Sequence, residues 1–393
     1  MRSPTINPGH ARPAVPPRGK WDKIDQNGTD FSLEPNALPD LPNPFVVLVA
    51  MDEDIDLDLI RSVAPGQVKV HRVQPGAIED EGGMFPPPTG LKSYRLPWST
   101  DLTPEQLTDL LGRTHALMAG LPYPLHIRDR MPNLKWAEFT FAGVSDFSHI
   151  DVWNTDVKIT SGRGIVQALP IAEMVIAAAL AFAKNLTLAT DQTRTGTLDG
   201  APYKLQLIQG KTMGVVGAGG IGGEIARLAK ALGMRVVATR RSTTSRQANV
   251  DGIDLLYPAS ELHNMLGECD FVAVSAPLTP DTERMFNAEA FAAMRDGAFF
   301  SNVARGEVVD ESALKDAIRS GKLASVYLDV YSEERQRPPD PELMALPGVV
   351  ITPHNSGDTE VDFWPAAESF TANLKRLLSG ETLLNQVDFN RGY

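Results

Sequence analysis

One short stretch restricts the fold of this chain more than any other, the glycine pattern Gly217-x-Gly219-x-x-Gly222. An apolar run, Met213–Val216, precedes it, and a segment with helical periodicity, Ile221–Leu232, follows it. In a strand–loop–helix context the first glycine permits a tight turn, the second admits a diphosphate to the backbone, and the third permits close helix packing. The pattern therefore predicts a phosphate loop, rather than a glycine-rich turn without a ligand. Its expected cofactor-binding residues are Gly217, Gly219, Gly220, Ile221 and Gly222.

Strands and helices alternate regularly in the C-terminal half of the chain, which is typical of a parallel, doubly wound sheet. The helical segments include Ala288–Met294 and Ser312–Arg319. The further predicted strands are Arg235–Ala238, Phe271–Ser275, Ala298–Asn302, Ser325–Asp329 and Val349–Thr352.

The preceding region is predicted to be a smaller α/β domain. Thr103, Pro104 and Gln106 have the pattern of a capped helix start, since threonine caps, proline suits the first turn and glutamine completes a capping box. The long segment Pro170–Ala183 is apolar nearly all round and is predicted to be a buried helix. The predicted strands are Phe45–Ala50, Val68–Val73, His115–Ala119 and Leu134–Phe139.

Residues 1–44 differ from the rest, because they contain nine of the 30 prolines and show no sustained periodicity. We expect a Pro-rich arm, either a flexible tail or a segment that packs on a partner subunit. The predicted division is then the arm at 1–44, a substrate domain at 45–155 plus 358–393, and a dinucleotide-binding domain at 156–357. A helix from about residue 363 to 378 would return the chain to the first domain.

Composition excludes several classes of protein. The formal net charge of −12 argues against nucleic-acid binding, which needs a basic face. A single cysteine, Cys269, excludes an intramolecular disulfide and a cysteine-based metal site, and no metal-ligand spacing is present. The best apolar run, Met174–Ala183, is about half the roughly 20 residues that a membrane span needs. No secretory signal precedes the fold, so the expected location is the cytoplasm.

The strand after the phosphate loop indicates which nucleotide would bind. NAD-binding proteins usually carry Asp or Glu at the end of this strand, where it accepts hydrogen bonds from the ribose. This chain instead has Arg240, Arg241 and Ser242. Because guanidinium groups bind phosphate strongly, these residues favour the 2′-phosphate of NADP, with NAD as the alternative. The arginines could also be merely solvated.

Three chemically useful side chains follow the ends of neighbouring predicted strands: Arg305, Glu334 and His354. Each has an ordinary structural interpretation by itself, as a turn, a surface charge or a structural histidine. Because parallel strands end at one edge of the sheet, all three are expected on the edge that also holds the phosphate loop. A cation and an acid placed there would stabilise the negative charge that develops when hydride adds to a carbonyl.

Together these segments resemble the D-isomer-specific 2-hydroxyacid dehydrogenase family over most of residues 45–393. The ending Asn385–Tyr393 and the pair Arg163-Gly164 look like the glyoxylate/hydroxypyruvate reductase branch. The motifs that carry the resemblance are Gly217–Gly222, Ala276–Thr282, Asn302–Asp310, Leu328–Tyr331 and Thr352–His354.

The resemblance implies a Rossmann-type sheet for the dinucleotide, a smaller flavodoxin-like α/β substrate domain, and a homodimer built largely on the cofactor domains. It implies that Arg305 holds the carboxylate of a small 2-oxo acid, that His354 transfers the proton, and that Glu334 orients His354 and favours its charged form. The turn at Ala119, Gly120 and Leu121 would bind the substrate carboxylate through backbone N–H groups. The remaining implied cofactor contacts are Ala276, Pro277, Leu278, Thr282, Val303, Ala304 and Asp329.

Two alternatives stay open. The long arm is similar to that of formate dehydrogenases, so an enzyme acting on formate or phosphite is one of them. Glu334 argues against formate, because those enzymes have glutamine there. Arg335 follows Glu334 where the family usually has proline, so this loop is expected to differ. The second alternative is a nucleotide-sensing binding protein similar to the C-terminal-binding-protein co-repressors.

Overall fold

The computed structural model describes residues 41–51, 55–78, 100–120, 123–359 and 364–390. Nearly all of the predicted arm lies outside these residues, and so does Leu121. The described strands are β1 Phe45–Ala50, β2 Val68–Val73, β3 Ala116–Ala119, β4 Trp136–Phe139, β5 Lys158–Ser161, β6 Thr212–Val216, β7 Arg235–Arg240, β8 Gln247–Val250, β9 Ile253–Pro258, β10 Phe271–Val274, β11 Ala298–Asn302, β12 Leu323–Leu328 and β13 Val349–Ile351.

The described helices alternate with these strands, and four short 3-10 turns lie between them. The helices are α1 Leu57–Arg61, α2 Pro104–Gly112, α3 Ala168–Ala183, α4 Leu186–Thr195, α5 Gly220–Ala231, α6 Leu262–Leu266, α7 Ala288–Ala293, α8 Glu311–Arg319, α9 Pro341–Ala345 and α10 Trp364–Leu378. The predicted capping box is present at α2: the Thr103 hydroxyl accepts from Gln106 N at 3.3 Å, and the Gln106 amide oxygen accepts from Thr103 N at 2.9 Å.

The first sheet has five strands in the order β2-β1-β3-β4-β5, and every neighbouring pair is parallel. This is the flavodoxin-like order, which confirms the expected class of the smaller domain. Its three central strands, β1, β3 and β4, are buried on both faces, as crossover helices require. Helix α10 returns to this sheet, since the rings of Phe370 and Trp136 stack 4.3 Å apart. Val387 N also donates to Ile159 O at 2.8 Å, so the expected return of the chain is confirmed.

The second sheet has eight strands in the order β13-β12-β11-β10-β6-β7-β9-β8. Strand β7 pairs with one side of β6. Strand β10 pairs with its other side, and β11, β12 and β13 follow outward from there. The strand order therefore reverses between β6 and β10. Ligands of open α/β sheets bind at such a point, beyond the carboxyl ends of the strands. One buried apolar cluster covers each face of this sheet, and α3, predicted to be a buried helix, belongs to one of them together with α5.

The structure corrects the sequence-based description in two places. Strand β5 pairs with β4, so the first sheet extends beyond residue 155, where the domain boundary was predicted. The missed strand is only four residues long and three of them are polar, which leaves no hydrophobic period to detect. The second sheet is parallel except at its edge, where β8 pairs antiparallel with β9. Strand β8 is largely exposed and polar, so it also lacks the apolar signal of a buried strand.

Within the described ranges, no single helix has the length and apolar character to cross a membrane, although α3 and α4 taken together, bent by 67°, meet that test by length and composition.

Candidate active site

The phosphate loop, Gly217–Gly222, joins β6 to α5 as the glycine pattern predicts. Gly217 has φ +97, and a Cβ there would lie 2.7 Å from the backbone of Ala276. A Cβ on Gly222 would lie 2.3 Å from Gly217 O, so the helix can approach the turn only without a side chain. An added Cβ at Gly219 would meet nothing within 4 Å. The second glycine thus faces open space at a helix N-terminus, which fits a dinucleotide diphosphate.

The same loop touches the segment that joins the two sheets. A Cβ on Gly220 would lie 2.0 Å from the Cα of Gly164, so two backbones cross there in contact. This gives a physical reason for glycine at both positions. Further along that segment, a Cβ on Gly357 would lie 2.8 Å from the amide nitrogen of Gln167. The joining segment therefore contacts both the phosphate loop and the loop that carries His354.

Arg240 ends β7 beside the phosphate loop. Its Nε donates to Ala218 O at 3.1 Å, and its terminal nitrogen donates to the carboxylate of Asp251 at 2.9 Å. Arg241 and Ser242 follow and are exposed. Arg246, the next arginine along the chain, is held elsewhere: it donates to Glu261 at 2.8 Å and lies 4.7 Å from the centre of the Tyr257 ring. A direct hydrogen bond thus ties Arg240 to the phosphate loop.

The segment after β10 lies against this loop. Ser275 Oγ donates to Gly217 O at 3.0 Å, and Ala276 is the backbone that Gly217 contacts. The Thr282 hydroxyl donates to Pro277 O at 2.7 Å and closes the turn that contains Leu278. The predicted cofactor-lining residues of this segment therefore form one ordered turn beside the glycines. Val303 and Ala304, the predicted lining residues after β11, are buried.

Arg305 follows β11 in a turn that Asn302 holds. The Asn302 side-chain oxygen accepts from Ala304 N at 3.0 Å, and its amide nitrogen donates to Arg305 O at 2.9 Å. Gly306 comes next, where a Cβ would lie 2.0 Å from the carbonyl carbon of Tyr331. The Arg305 turn is thus packed on the chain that leaves β12. Asn302 was quoted in the sequence motif without a role, and the bond pattern of an Asx-type turn assigns it a positioning role.

Glu334 and His354 form a direct pair. His354 Nδ1 lies 2.6 Å from Glu334 Oε1, and the two side chains are 25% and 8% exposed. The carboxylate is therefore nearly enclosed, while part of the imidazole still reaches solvent. A carboxylate on Nδ1 fixes the ring orientation and leaves Nε2 as the nitrogen that can exchange a proton. The structure thus brings these two predicted residues together, and their catalytic roles stay predictions.

Asp329 has a structural role that its sequence position did not reveal. It is buried at the end of β12, and its Oδ1 accepts from the Thr352 hydroxyl at 2.6 Å and from Asn355 N at 3.1 Å. Ser356 donates to the same carboxylate through its backbone N and its hydroxyl. The bonds come from both sides of His354, so Asp329 shapes the loop that presents the histidine. Its predicted contact with the nicotinamide stays a prediction.

Tyr327 extends this network. Its hydroxyl lies 2.8 Å from the Thr352 hydroxyl, which in turn donates to Asp329. Burial raises the pKa of Tyr327, and the negative charge of Asp329 adds to the effect. The phenol therefore stays protonated at neutral pH and can serve as a donor at the base of the loop.

The turn predicted to bind the substrate carboxylate begins at the end of β3. Ala119 is buried, and a Cβ on Gly120 would lie 3.2 Å from Met51 Sδ and 3.6 Å from the Thr140 hydroxyl. Leu121 lies outside the described residues. The substrate role of this turn stays a prediction.

Comparison with known proteins agrees with this geometry. The family described as "D-isomer specific 2-hydroxyacid dehydrogenase, NAD binding domain" matches residues 176–356. A glyoxylate reductase from Korarchaeum cryptofilum is 32% identical over 249 residues, which cover 60% of this chain and 73% of that protein. The chain therefore belongs to the D-isomer-specific 2-hydroxyacid dehydrogenase family, as the motifs indicated. Its Rossmann-type domain and its smaller α/β domain are those of that family.

Two further proteins show the range of the similarity. A D-3-phosphoglycerate dehydrogenase from Methanocaldococcus jannaschii is 29% identical over 299 residues, covering 74% of this chain and 55% of that protein. The chain thus spans about half the length of the phosphoglycerate dehydrogenases that it matches. A D-isomer-specific 2-hydroxyacid dehydrogenase from Xanthobacter autotrophicus Py2, solved with NADPH and MES, has a TM-score of 0.68 at 26% identity, covering 90% of this chain and 100% of the other.

Proposed function

We propose that this chain transfers hydride between NADPH and a small 2-oxo acid, forming the D-2-hydroxy acid, with glyoxylate or hydroxypyruvate as the substrate. The observation that carries the proposal is the 2.6 Å pair of His354 and Glu334, at the sheet edge that also bears Arg305 and the phosphate loop. The glyoxylate reductase among the relatives supports the substrate class.

Each residue of the site has its own role in the proposed reaction. A nicotinamide cofactor held by the phosphate loop would supply or accept the hydride. Arg305 holds the substrate carboxylate and polarises the 2-oxo group, which stabilises the negative charge that develops on its oxygen. His354 gives a proton to that oxygen in reduction and removes it in oxidation. Glu334 keeps the imidazole oriented and favours its charged form.

NADP is the proposed cofactor, with NAD as the alternative. Arg240 stands where NAD-binding proteins usually carry a carboxylate, and its bond to Ala218 O keeps its guanidinium beside the phosphate loop. The NADPH bound to the Xanthobacter autotrophicus Py2 protein supports the same choice. Arg241 and Ser242, which are exposed next to Arg240, are proposed as further partners of the 2′-phosphate.

A substrate panel with both cofactors tests this proposal. We expect glyoxylate or hydroxypyruvate with NADPH to give the highest kcat/KM. D-3-phosphoglycerate belongs in the panel because several relatives are phosphoglycerate dehydrogenases, and formate and phosphite belong there as the alternatives from the sequence. Faster turnover of formate or phosphite would contradict the proposed substrate class. Cofactor binding without turnover of any substrate would favour the co-repressor-like alternative.

We further propose that the chain forms a homodimer through its cofactor domain and acts in the cytoplasm. None of the residues of α4, Leu186–Thr195, is buried. Leu186, Leu198, Leu205 and Leu207 are 53%, 98%, 64% and 73% exposed, which is unusual for large apolar side chains in one segment. A second subunit covering these leucines would remove them from water. Light scattering of Leu205→Glu and Leu207→Glu variants tests this, since the proposal expects a shift from dimer to monomer.

A further inference from the structure

Asp251 is the residue that the proposed function leaves without a role although it touches the candidate cofactor site. Its carboxylate accepts a hydrogen bond from the terminal nitrogen of Arg240 at 2.9 Å. The same guanidinium donates through Nε to Ala218 O, inside the phosphate loop. An acidic group therefore lies next to the cation that is proposed to bind the 2′-phosphate.

The hairpin between β8 and β9 holds this carboxylate in place. Val250 pairs with Ile253, so Asp251 and Gly252 form a two-residue turn. Both have positive φ, 52 and 79, which is typical of a type I′ turn, and aspartate is one of the few side chains that tolerate this conformation. The turn is thus a defined support for the carboxylate.

The charge of Asp251 opposes a second anion at the same guanidinium. Arg240 carries one positive charge, and the side chains of Arg240 and Asp251 are 31% and 65% exposed. A 2′-phosphate carries between one and two negative charges near neutral pH, so it must share Arg240 with the carboxylate or displace it. NADH carries a hydroxyl at that position and meets no such repulsion.

We infer that Asp251 is a specificity-determining residue that lowers the affinity for NADPH relative to NADH by competing for Arg240. The inference rests on the proposed cofactor site. Asp251 accordingly sets how strongly the chain prefers NADPH, and Arg240 sets the direction of the preference.

The test measures the Kd of NADPH and of NADH for the full-length wild type and for Asp251→Asn, from quenching of protein fluorescence. Asparagine tolerates positive φ and keeps a hydrogen-bond acceptor, so the variant removes the charge alone. We expect NADPH to bind about three- to tenfold more tightly, with less gain at high salt, and NADH to change less than about twofold. Glu261→Gln is the matched control, since Glu261 pairs with Arg246 and not with Arg240.

Each outcome decides one point. An unchanged or weaker NADPH affinity in Asp251→Asn overturns the inference, and so does an equal gain in Glu261→Gln. A large loss of NADH affinity would also overturn it, because the carboxylate would then be a ribose ligand. The proposed function is judged separately on the wild type: if the wild type binds neither cofactor, that function fails whatever the variants do.

Discussion

At His354 the backbone adopts φ 56, a left-handed conformation that costs a non-glycine residue about 1–3 kcal/mol. The bonds from Asn355 N and Ser356 N to Asp329 hold the following residues and offset this cost. Such local strain is common where a side chain must be presented in one direction. A buried carboxylate, rather than the intrinsic preference of the chain, thus fixes the position of the histidine.

Glu334→Gln tests the electrostatic coupling between Glu334 and His354. The variant keeps the shape but removes the negative charge 2.6 Å from the imidazole, so the imidazolium loses stabilisation. Because the carboxylate orients the ring that gives the proton, kcat/KM for reduction is expected to fall, by less than the about 10²–10⁴-fold that a positioned acid contributes. The check is kcat/KM for reduction, with Glu333→Gln as the control for loss of a neighbouring charge. An unchanged kcat/KM in Glu334→Gln would show that the pair is not coupled.

Arg240→Asp tests the cofactor preference. The variant removes a guanidinium from the phosphate loop and introduces the carboxylate typical of NAD-binding proteins. Loss of one charge-assisted contact is expected to weaken NADPH binding by about 1.5–3 kcal/mol, with a shift of preference toward NADH. The measurement is the ratio of kcat/KM for the two cofactors. Equal efficiency of both cofactors with the wild-type protein would contradict the NADP proposal.

Among the elements, most of those with a strong local signal could be predicted, and short polar strands could not. Strand β9 is the exception, since its apolar run was missed. Local sequence rules describe the capping box at the start of α2. They also describe the apolar residues that recur along β1, β2 and β11. Strand β5 is short and mostly polar, and strand β8 is short and exposed. Only pairing with their neighbours in the sheet makes these segments strands. Their pairing depends on tertiary contacts, which no local pattern encodes.

Some residues of the site could likewise be placed from the sequence, and others could not. Residues Arg305, Glu334 and His354 could be placed on one edge, because each follows a predicted parallel strand. The role of Asp329 could not be predicted, since its bonds reach more than 20 residues along the chain to Thr352 and Ser356. Asp251 was missed for a similar reason, because β8, the first strand of the hairpin that brings it to Arg240, has no apolar signal.

Gly222→Ala tests the phosphate loop as an element. A Cβ there would lie 2.3 Å from Gly217 O and 2.9 Å from the Ser275 hydroxyl, so helix and turn must move apart. NADPH affinity is expected to fall at least about tenfold, because the loop backbone shifts away from the diphosphate position. Gly223→Ala is the control, since a Cβ there meets nothing within 4 Å. Equal affinities of the two variants would show that the close packing of Gly222 is unimportant.

On the scale of the whole molecule, Glu138 joins the C-terminal helix to the first sheet. Its carboxylate is buried in β4 and accepts from the Thr160 hydroxyl at 2.9 Å and from the Asn373 amide at 2.8 Å. Asn373 is also bonded to Leu384, at the chain that leaves α10. Burial raises the pKa of Glu138 to about 7, although the hydrogen bonds act in the opposite direction.

This raised pKa predicts a pH-dependent stability. Between the usual carboxyl range near pH 4.5 and about pH 7, the unfolded chain ionises Glu138 while the folded chain keeps it protonated. The folded state therefore binds more protons, and its free energy of unfolding falls by about 3 kcal/mol as pH rises through that window. Glu138→Gln cannot ionise, so its stability relative to wild type should increase from pH 4.5 to 8. Denaturant unfolding at both pH values measures this.

The control for that experiment is Glu283→Gln, which removes the same charge from an exposed position. Its stability relative to wild type should change little over the same range. A constant difference between Glu138→Gln and wild type at all pH values would show that the buried carboxyl does not titrate with folding.

The central claim is that His354 is the acid in the reduction of a 2-oxo acid, and the turnover of His354→Ala tests it most directly. The measurement is kcat for glyoxylate or hydroxypyruvate with NADPH, beside the Kd of NADPH for the same variant. We expect a loss of about 10²–10⁴-fold in kcat, the usual contribution of a positioned acid. The Kd should stay within about twofold of wild type, because the phosphate loop is unchanged. Near-normal turnover would show that His354 is not the acid and place the proton donor elsewhere.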